Sequence, residues 1–578
     1  MRRNVLSVVA CIALIVQCLT GAGPASAAGR SASTSINPPS CAKKSWLFKA
    51  GQDHPFRIWY PDKNSDVAHL ATYLRQQMDE TIWHKETSLM ETQPVANTQD
   101  ICLVADVGDG QSTGNTLWDL PGCGQKKATI LVLNTLDDQT ARDVLAHEFM
   151  HALQFSLDVG CSDTWWWRES TAQWAEDFVY PGDNREQGFA HHYLSDMTSP
   201  INDECDCSKN REYGSYVFPF FIARSYGSDL IRQIWHKAQS ESVLDAINDV
   251  VPGGLVKQWP RFALDAWNAG PVDYFDQWDG LEDGVSKEFG DPERLNKGDD
   301  LPLASGELPH MSAQYFSFKV APGVRTVALQ IGSPYYQLGS SPDKHATVQA
   351  IVGLGDGTSE EVKNWSGTAA QNYCLSLPNQ DVKTLTIIYA NSNESDDFSN
   401  TAPSYLVATN IGCAKWHGTV SGEGDFTNGN KVTTTATVTF KRQPSTPADP
   451  VFYVPVSGST TWQGKTKTPD GCTGSGNGSW DVTTDAGYLS MDWNLHNVPG
   501  FIPTRGYGGD LGGPLFYTWT YKCPHDPGEH PVAQSFAAMN TGPTSQTVSS
   551  DGLTMKESYS DTTSDGTVTW HWTLHSAG

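Results

Sequence analysis

The apolar positions of this chain change their period several times. Phe56 to Tyr60, ahead of Pro61, alternates as a strand. Val67, Leu70, Ala71, Leu74, Met78 and Ile82 then recur at spacings of three and four, which lines one face of a helix. Ile101 to Val107 and Thr129 to Leu133 are two further strand candidates. From Asp137 or Asp138, both N-capping residue types, a helical pattern runs through Leu157. More helices are predicted at about 167–180, 186–196, 213–226, 228–239 and 256–269. The region therefore opens as β-α-β-β and continues as nearly all helix.

After about residue 285, Gly, Ser, Thr, Asp and Pro punctuate short β-type runs: Tyr315 to Val320, Thr326 to Ile331, Thr347 to Val352, Thr384 to Tyr389 and Tyr405 to Ala408. This pattern predicts a β-sandwich over 300–415. A second β-rich domain over 416–578 carries alternating segments at Val432 to Phe440, Tyr488 to Asn494, Leu515 to Lys522 and Thr567 to Leu574, with Pro444, Pro447 and Pro450 marking a loop. A chain of 578 residues is too long for one hydrophobic core. The expected fold class is multidomain, an α+β domain over 43–285 followed by two all-β, sandwich-like domains.

Composition narrows the partners. With 38% hydrophobic and 18% charged residues the chain is globular, and its net charge of −26 repels phosphate backbones, so no nucleic-acid partner is expected. Arg2 and Arg3 precede an apolar run from Val5 to about Leu19 and the small residues Ala25, Ser26, Ala27 and Ala28, the layout of a secretory signal over 1–28. Residues 29–42 read as a flexible leader. No second stretch is long and apolar enough to span a bilayer, so the mature protein is expected to be secreted, extracellular and free of the membrane.

Of twelve cysteines, two fall in the signal, and an even remainder in an exported chain favours disulfides. Spacing suggests Cys374 with Cys413 and Cys472 with Cys523. The pairing of Cys41, Cys102, Cys123, Cys161, Cys205 and Cys207 stays open.

The candidate chemistry lies at His147-Glu148-Phe149-Met150-His151. On a helix, positions i and i+4 share a face, so both imidazoles can bind one ion while Glu148 projects toward the metal's water. Catalytic zinc takes three protein ligands and leaves a corner open. The elongated motif with a later glycine and third histidine is absent, since Gln154 and Leu157 occupy those positions. Glu169, in Glu169-Ser170-Thr171-Ala172-Gln173-Trp174-Ala175-Glu176-Asp177, supplies a carboxylate after a loop long enough to reverse the chain, and Ala172 one turn on lets two helices approach.

These paired motifs resemble the catalytic core of the gluzincin zinc metallopeptidases, the thermolysin-like superfamily, over roughly 43–285. The resemblance implies a zincin-like domain with a strand-rich upper lobe and a helical lower lobe. It implies Zn2+ held by His147, His151 and Glu169, with Glu148 as general base and a protein or peptide as substrate. The chain departs from the pattern at Gln173, where thermolysin-like enzymes carry an aspartate. Glu176 or Asp177 could orient a ligand histidine instead, and Asp177 reads more readily as a solvated acid.

Tyr213 and Tyr216 resemble the later tyrosine that some gluzincins use to stabilise the transition state, and core packing is the competing account for both. His191 and His192 read as surface or packing groups, and at least two of Trp165, Trp166 and Trp167 read as packing. Trp462, Trp480, Trp493, Trp519, Trp570 and Trp572 could stack on sugars, although strand alternation explains most of them as core. The alternative function is therefore an extracellular surface or glycan-binding protein whose metal domain is catalytically inert.

Overall fold

The structure is a computed structural model that describes residues 46–61, 64–108, 112–118, 125–157, 164–203, 210–289, 291–303, 308–331, 345–354, 359–364, 370–374, 382–395, 404–443, 451–482, 487–491, 506–512, 517–542 and 546–577. The signal over 1–28, the leader over 29–42, the Pro444 to Pro450 loop, Trp493, Cys41, Cys123, Cys161, Cys205 and Cys207 lie outside them. The chain is mixed α/β, with one helical region and large β-sheet regions. It divides into two compact units: residues up to 164 with 171–180 and 235–241, and residues 165–170 with 181–234 and 242–578.

The first unit is built on a five-stranded sheet ordered β1-β2-β3-β5-β4. The strands are β1 (Trp46–Ala50), β2 (Phe56–Pro61), β3 (Gln99–Val104), β4 (Gly114–Trp118) and β5 (Ala128–Leu133). β2, β3 and β5 run parallel, whereas β1 and β4 are antiparallel edges. Alternation on β2, β3 and β5 buries Ile58, Ile101, Leu103, Ile130 and Val132. Helix α1 (Ser65–Gln77) is capped by the Asn64 side chain, which accepts from the Asp66 and Val67 amides. It buries the predicted stripe Val67, Leu70, Ala71 and Leu74.

One π turn, Met78–Ile82, joins α1 to α2 (Trp83–Met90) without a break. The wider turn shifts the buried face so that Met78, Ile82 and then Glu86 and Met90 point inward at intervals of four. Helix α3 (Asp138–Gln154) starts at Asp137, whose carboxylate accepts from the Thr140 amide, as the capping pattern predicts. It packs on β4 and β5 and on α1 and α2, with the Trp83 and Phe149 rings 4.9 Å apart.

In the second unit a group of helices precedes two sheets that share one core. Leu295, Phe318, Val348, Val352 and Ile387 of one sheet pack with Val327, Leu329 and Leu406 of the other. All five strand segments predicted here lie inside observed strands. Helix Leu255–Asp265 is tied to this sandwich: the Trp259 indole donates to the Ser312 carbonyl at 3.0 Å, and the Tyr315 hydroxyl donates to the Ala263 carbonyl at 2.6 Å.

The final region is one twelve-stranded sheet with long alternating strands, Lys415–Phe426, Asn430–Arg442, Val451–Lys467 and Gly566–Ala577 among them. Disulfides Cys374–Cys413 and Cys472–Cys523 form as the spacing suggests. Cys102 is also disulfide-bonded. Among the described residues no helix is long and apolar enough to cross a membrane.

Candidate metal centre

The helical period sets the donors on α3. His147 and His151, four residues apart, share a face, and their Nε2 atoms lie 3.1 Å from each other. Helix α4 (Trp165–Val179) presents Glu169, Ala172, Gln173 and Glu176 at intervals of three and four, all buried. The helices run antiparallel, since His147 meets Glu176 while Gln154, two turns later on α3, meets Thr171, earlier on α4. Ala172 is fully buried and, as a small residue, allows close approach of the helices. The ligand atoms of His147, His151 and Glu169 all lie within 4.8 Å of one another.

Each imidazole is also engaged on its other nitrogen. Glu176 Oε1 lies 3.3 Å from His147 Nδ1, an ion-pair distance rather than an aligned hydrogen bond. His151 Nδ1 donates to Gln154 Oε1 at 2.8 Å. The Gln154 amide donates in turn to Thr171 Oγ1 at 3.0 Å, and the Trp235 indole reaches the same hydroxyl at 3.3 Å. A glutamine amide oxygen only accepts, so the His151 proton sits on Nδ1 and the Nε2 lone pair points inward.

With Nδ1 of His147 turned toward a carboxylate, its Nε2 lone pair points inward as well. Two lone pairs face to face repel unless a cation or a proton lies between them. A tetrahedral zinc with bonds of about 2.05 Å separates two ligand nitrogens by about 3.3 Å, close to the 3.1 Å observed. The donor set of two imidazoles and one carboxylate thus fits Zn2+.

Glu148 points the other way, toward the sheet. The Thr116 hydroxyl on β4 donates to Glu148 Oε2 at 2.7 Å and lies 3.0 Å from the Glu148 carbonyl. Gly114, two residues earlier on the same edge strand, is so close that a Cβ there would sit 2.6 Å from Glu148 Oε1 and 2.6 Å from Val144 Cγ1.

Several groups of this centre escape sequence reasoning. Glu86 of α2 is wholly buried, and neither of its carboxylate oxygens has a hydrogen-bond partner among the described residues. Burial pushes its carboxyl well above the usual range, and nearby His147 opposes that shift only in part. The spacing of four from Ile82 was the one available signal. Asp177, expected as a solvated acid, is buried, and Glu176 is the acid that meets a histidine.

Tyr213 lies in the short helix Arg211–Gly214, half-buried, with its ring 5.6 Å from Phe189, and Tyr216 is buried. Trp166 and Trp167 are buried as packing residues, whereas Trp165 is 38% exposed. The rings of His191 and His192 lie 3.8 Å apart in helix Gln187–Leu194. Trp462, Trp519, Trp570 and Trp572 are core residues.

Comparison with known proteins adds a family whose chemistry is open. Residues 112–248, which contain β4, α3 and α4, match a family described as "Family of unknown function (DUF6055)". A search of curated proteins finds no match. Among solved structures, the full extracellular region of zebrafish Gpr126/Adgrg6 is similar over 50% of this chain and 52% of that one, at 10% identity and a TM-score of 0.16. The chain spans about half the length of that structure, and a likeness this slight carries no argument.

Proposed function

We propose that the chain is a secreted zinc peptidase in which His147, His151 and Glu169 hold Zn2+ and Glu148 is the general base. The observation that carries this reading is the convergence of the two Nε2 atoms, 3.1 Å apart, with the Glu169 carboxylate. A zinc ion there supplies Lewis acidity, making a water more acidic and polarising a carbonyl. Glu148, next to His147 yet turned toward β4, takes a proton from that water and returns it to the departing amine. Glu176 and Gln154 hold the imidazoles with their Nε2 lone pairs inward.

The resemblance to gluzincins supports the same assignment, with the zincin-like description of the α/β part and a protein or peptide substrate. The disulfides agree with export to an oxidising compartment. Most of the tryptophans considered for glycan stacking are buried, so no observation favours the glycan-binding alternative.

The test is zinc content by elemental analysis together with cleavage of a mixed peptide library by the parent and Glu148→Gln. One zinc per chain and loss of cleavage in the variant are expected. A fully active Glu148→Gln, or a parent that binds no zinc, refutes the reading.

A further inference from the structure

We infer that Thr116 is a positioning residue for the Glu148 carboxylate and that Gly114 makes the room this carboxylate needs, so that edge strand β4 helps to hold the base in place. The inference rests on the reading of Glu148 as general base. A glutamate has three rotatable bonds, and a base must hold one oxygen within hydrogen-bond reach of the proton it takes. On β4, the Thr116 hydroxyl supplies such a restraint.

Gly114 and Thr116 are two apart on a strand and share a face. Leu117, the next residue after Thr116, packs on the other face of the sheet with Cys102 and Leu131. That opposite burial fixes the register of β4, and with it the two residues that look toward α3. The Thr116 hydroxyl has one proton and two acceptors, and the charged Oε2 at 2.7 Å outcompetes the carbonyl at 3.0 Å. Branching at Cβ stiffens the threonine, so its hydroxyl is held rather than free to turn.

Oε1 lies against the bare Cα of Gly114. A methyl group there would come within 2.6 Å of both Oε1 and Val144 Cγ1, well inside contact distance. Glycine is required here by space, because its backbone is not in the left-handed region.

The experiment combines Thr116→Val, Thr116→Ser, Glu148→Gln and Glu148→Ala, each scored for zinc content and for peptide cleavage. Thr116→Val is expected to lower kcat about 10- to 100-fold with KM and zinc content unchanged. Thr116→Ser restores most of the rate, and Thr116→Val adds no loss in the Glu148→Gln background. A second readout needs no activity. In the zinc-free protein, Thr116→Val lowers the urea midpoint more in the parent than in Glu148→Ala, because the bonded carboxylate is absent from the latter.

Equal midpoint shifts in the two backgrounds overturn the inference. So does an unchanged kcat in Thr116→Val while Glu148→Gln is inactive, a result that leaves the peptidase reading standing. A fully active Glu148→Gln defeats that reading instead, and the midpoint comparison still decides whether the hydroxyl holds the carboxylate.

Discussion

Gln154→Met removes the group that holds His151. The amide is 3% exposed and makes two hydrogen bonds, accepting from His151 Nδ1 at 2.8 Å and donating to Thr171 Oγ1 at 3.0 Å. Methionine fills nearly the same volume and offers no comparable acceptor, so the His151 ring can turn and its Nδ1 proton loses its partner. Losing the outer partner of a ligand histidine costs about 10- to 100-fold in metal affinity, or about 1.4–2.8 kcal/mol.

Gln154→Glu keeps an acceptor at the same place, and the Thr171 hydroxyl can turn to donate, so this variant is expected to bind zinc at least as well as the parent. The assay is competition for zinc against a chromophoric chelator, with thermal unfolding of the zinc-free proteins as a control for folding. A folded Gln154→Met with the parent's zinc affinity, or a Gln154→Glu as weak as Gln154→Met, would refute the role given to this amide.

Other perturbations probe groups away from the metal ligands or behind them. Burial lifts the Asp265 carboxyl from 3.8 to about 7 against the pull of Arg261. The folded chain therefore holds this proton more tightly than the unfolded one. Its penalty is absent below about pH 4, grows as pH rises to 7 and is complete above that, to a limit of about 4 kcal/mol. Asp265→Asn should flatten the fall in melting temperature between about pH 4 and 7, and an unaltered slope would count against the assignment. Glu86→Met replaces a wholly buried carboxyl that has no hydrogen-bond partner among the described residues, and should stabilise the zinc-free protein by about 1–3 kcal/mol in urea unfolding; a lower midpoint would reveal a favourable partner. Replacing Cys374 and Cys413 by serine opens a crosslink that spans 39 residues, worth about 4 kcal/mol in the chain-entropy account. The melting temperature of the sandwich should drop accordingly, and an unchanged value would place that region's stability in its core alone.

What sequence could reveal divides along a physical line. Asp137 as the cap, the imidazoles one turn apart and the downstream carboxylate are local or periodic features, and periodicity survives in a string of residues. The same holds for the sandwich strands and the two disulfides inside the β regions. Strand β4 was not legible, because Gly114-Asn115-Thr116-Leu117-Trp118 has neither clear alternation nor β-branched density, and its place at the sheet edge comes from pairing with β5. Gln154 is instructive in another way. It stands where the elongated motif would carry a glycine and could be read only as an absence, yet it meets His151 three residues back on the same helix, and its amide is in turn bonded to Thr171 of α4.

The unequal partners of the two histidines follow from a charge count. On the proposed reading, the two positive charges of zinc meet one negative charge on Glu169 and one on Glu176, both buried. A carboxylate behind His147 completes neutrality. The group behind His151 is instead the neutral amide of Gln154. Glu148 is then the one charge in excess, and the Thr116 hydroxyl satisfies one of its oxygens without neutralising it. Withdrawing the ion leaves Glu148, Glu169 and Glu176 as buried acids around two opposed lone pairs. On that reading the ion offsets the repulsion among these groups, so its binding adds to the stability of the fold.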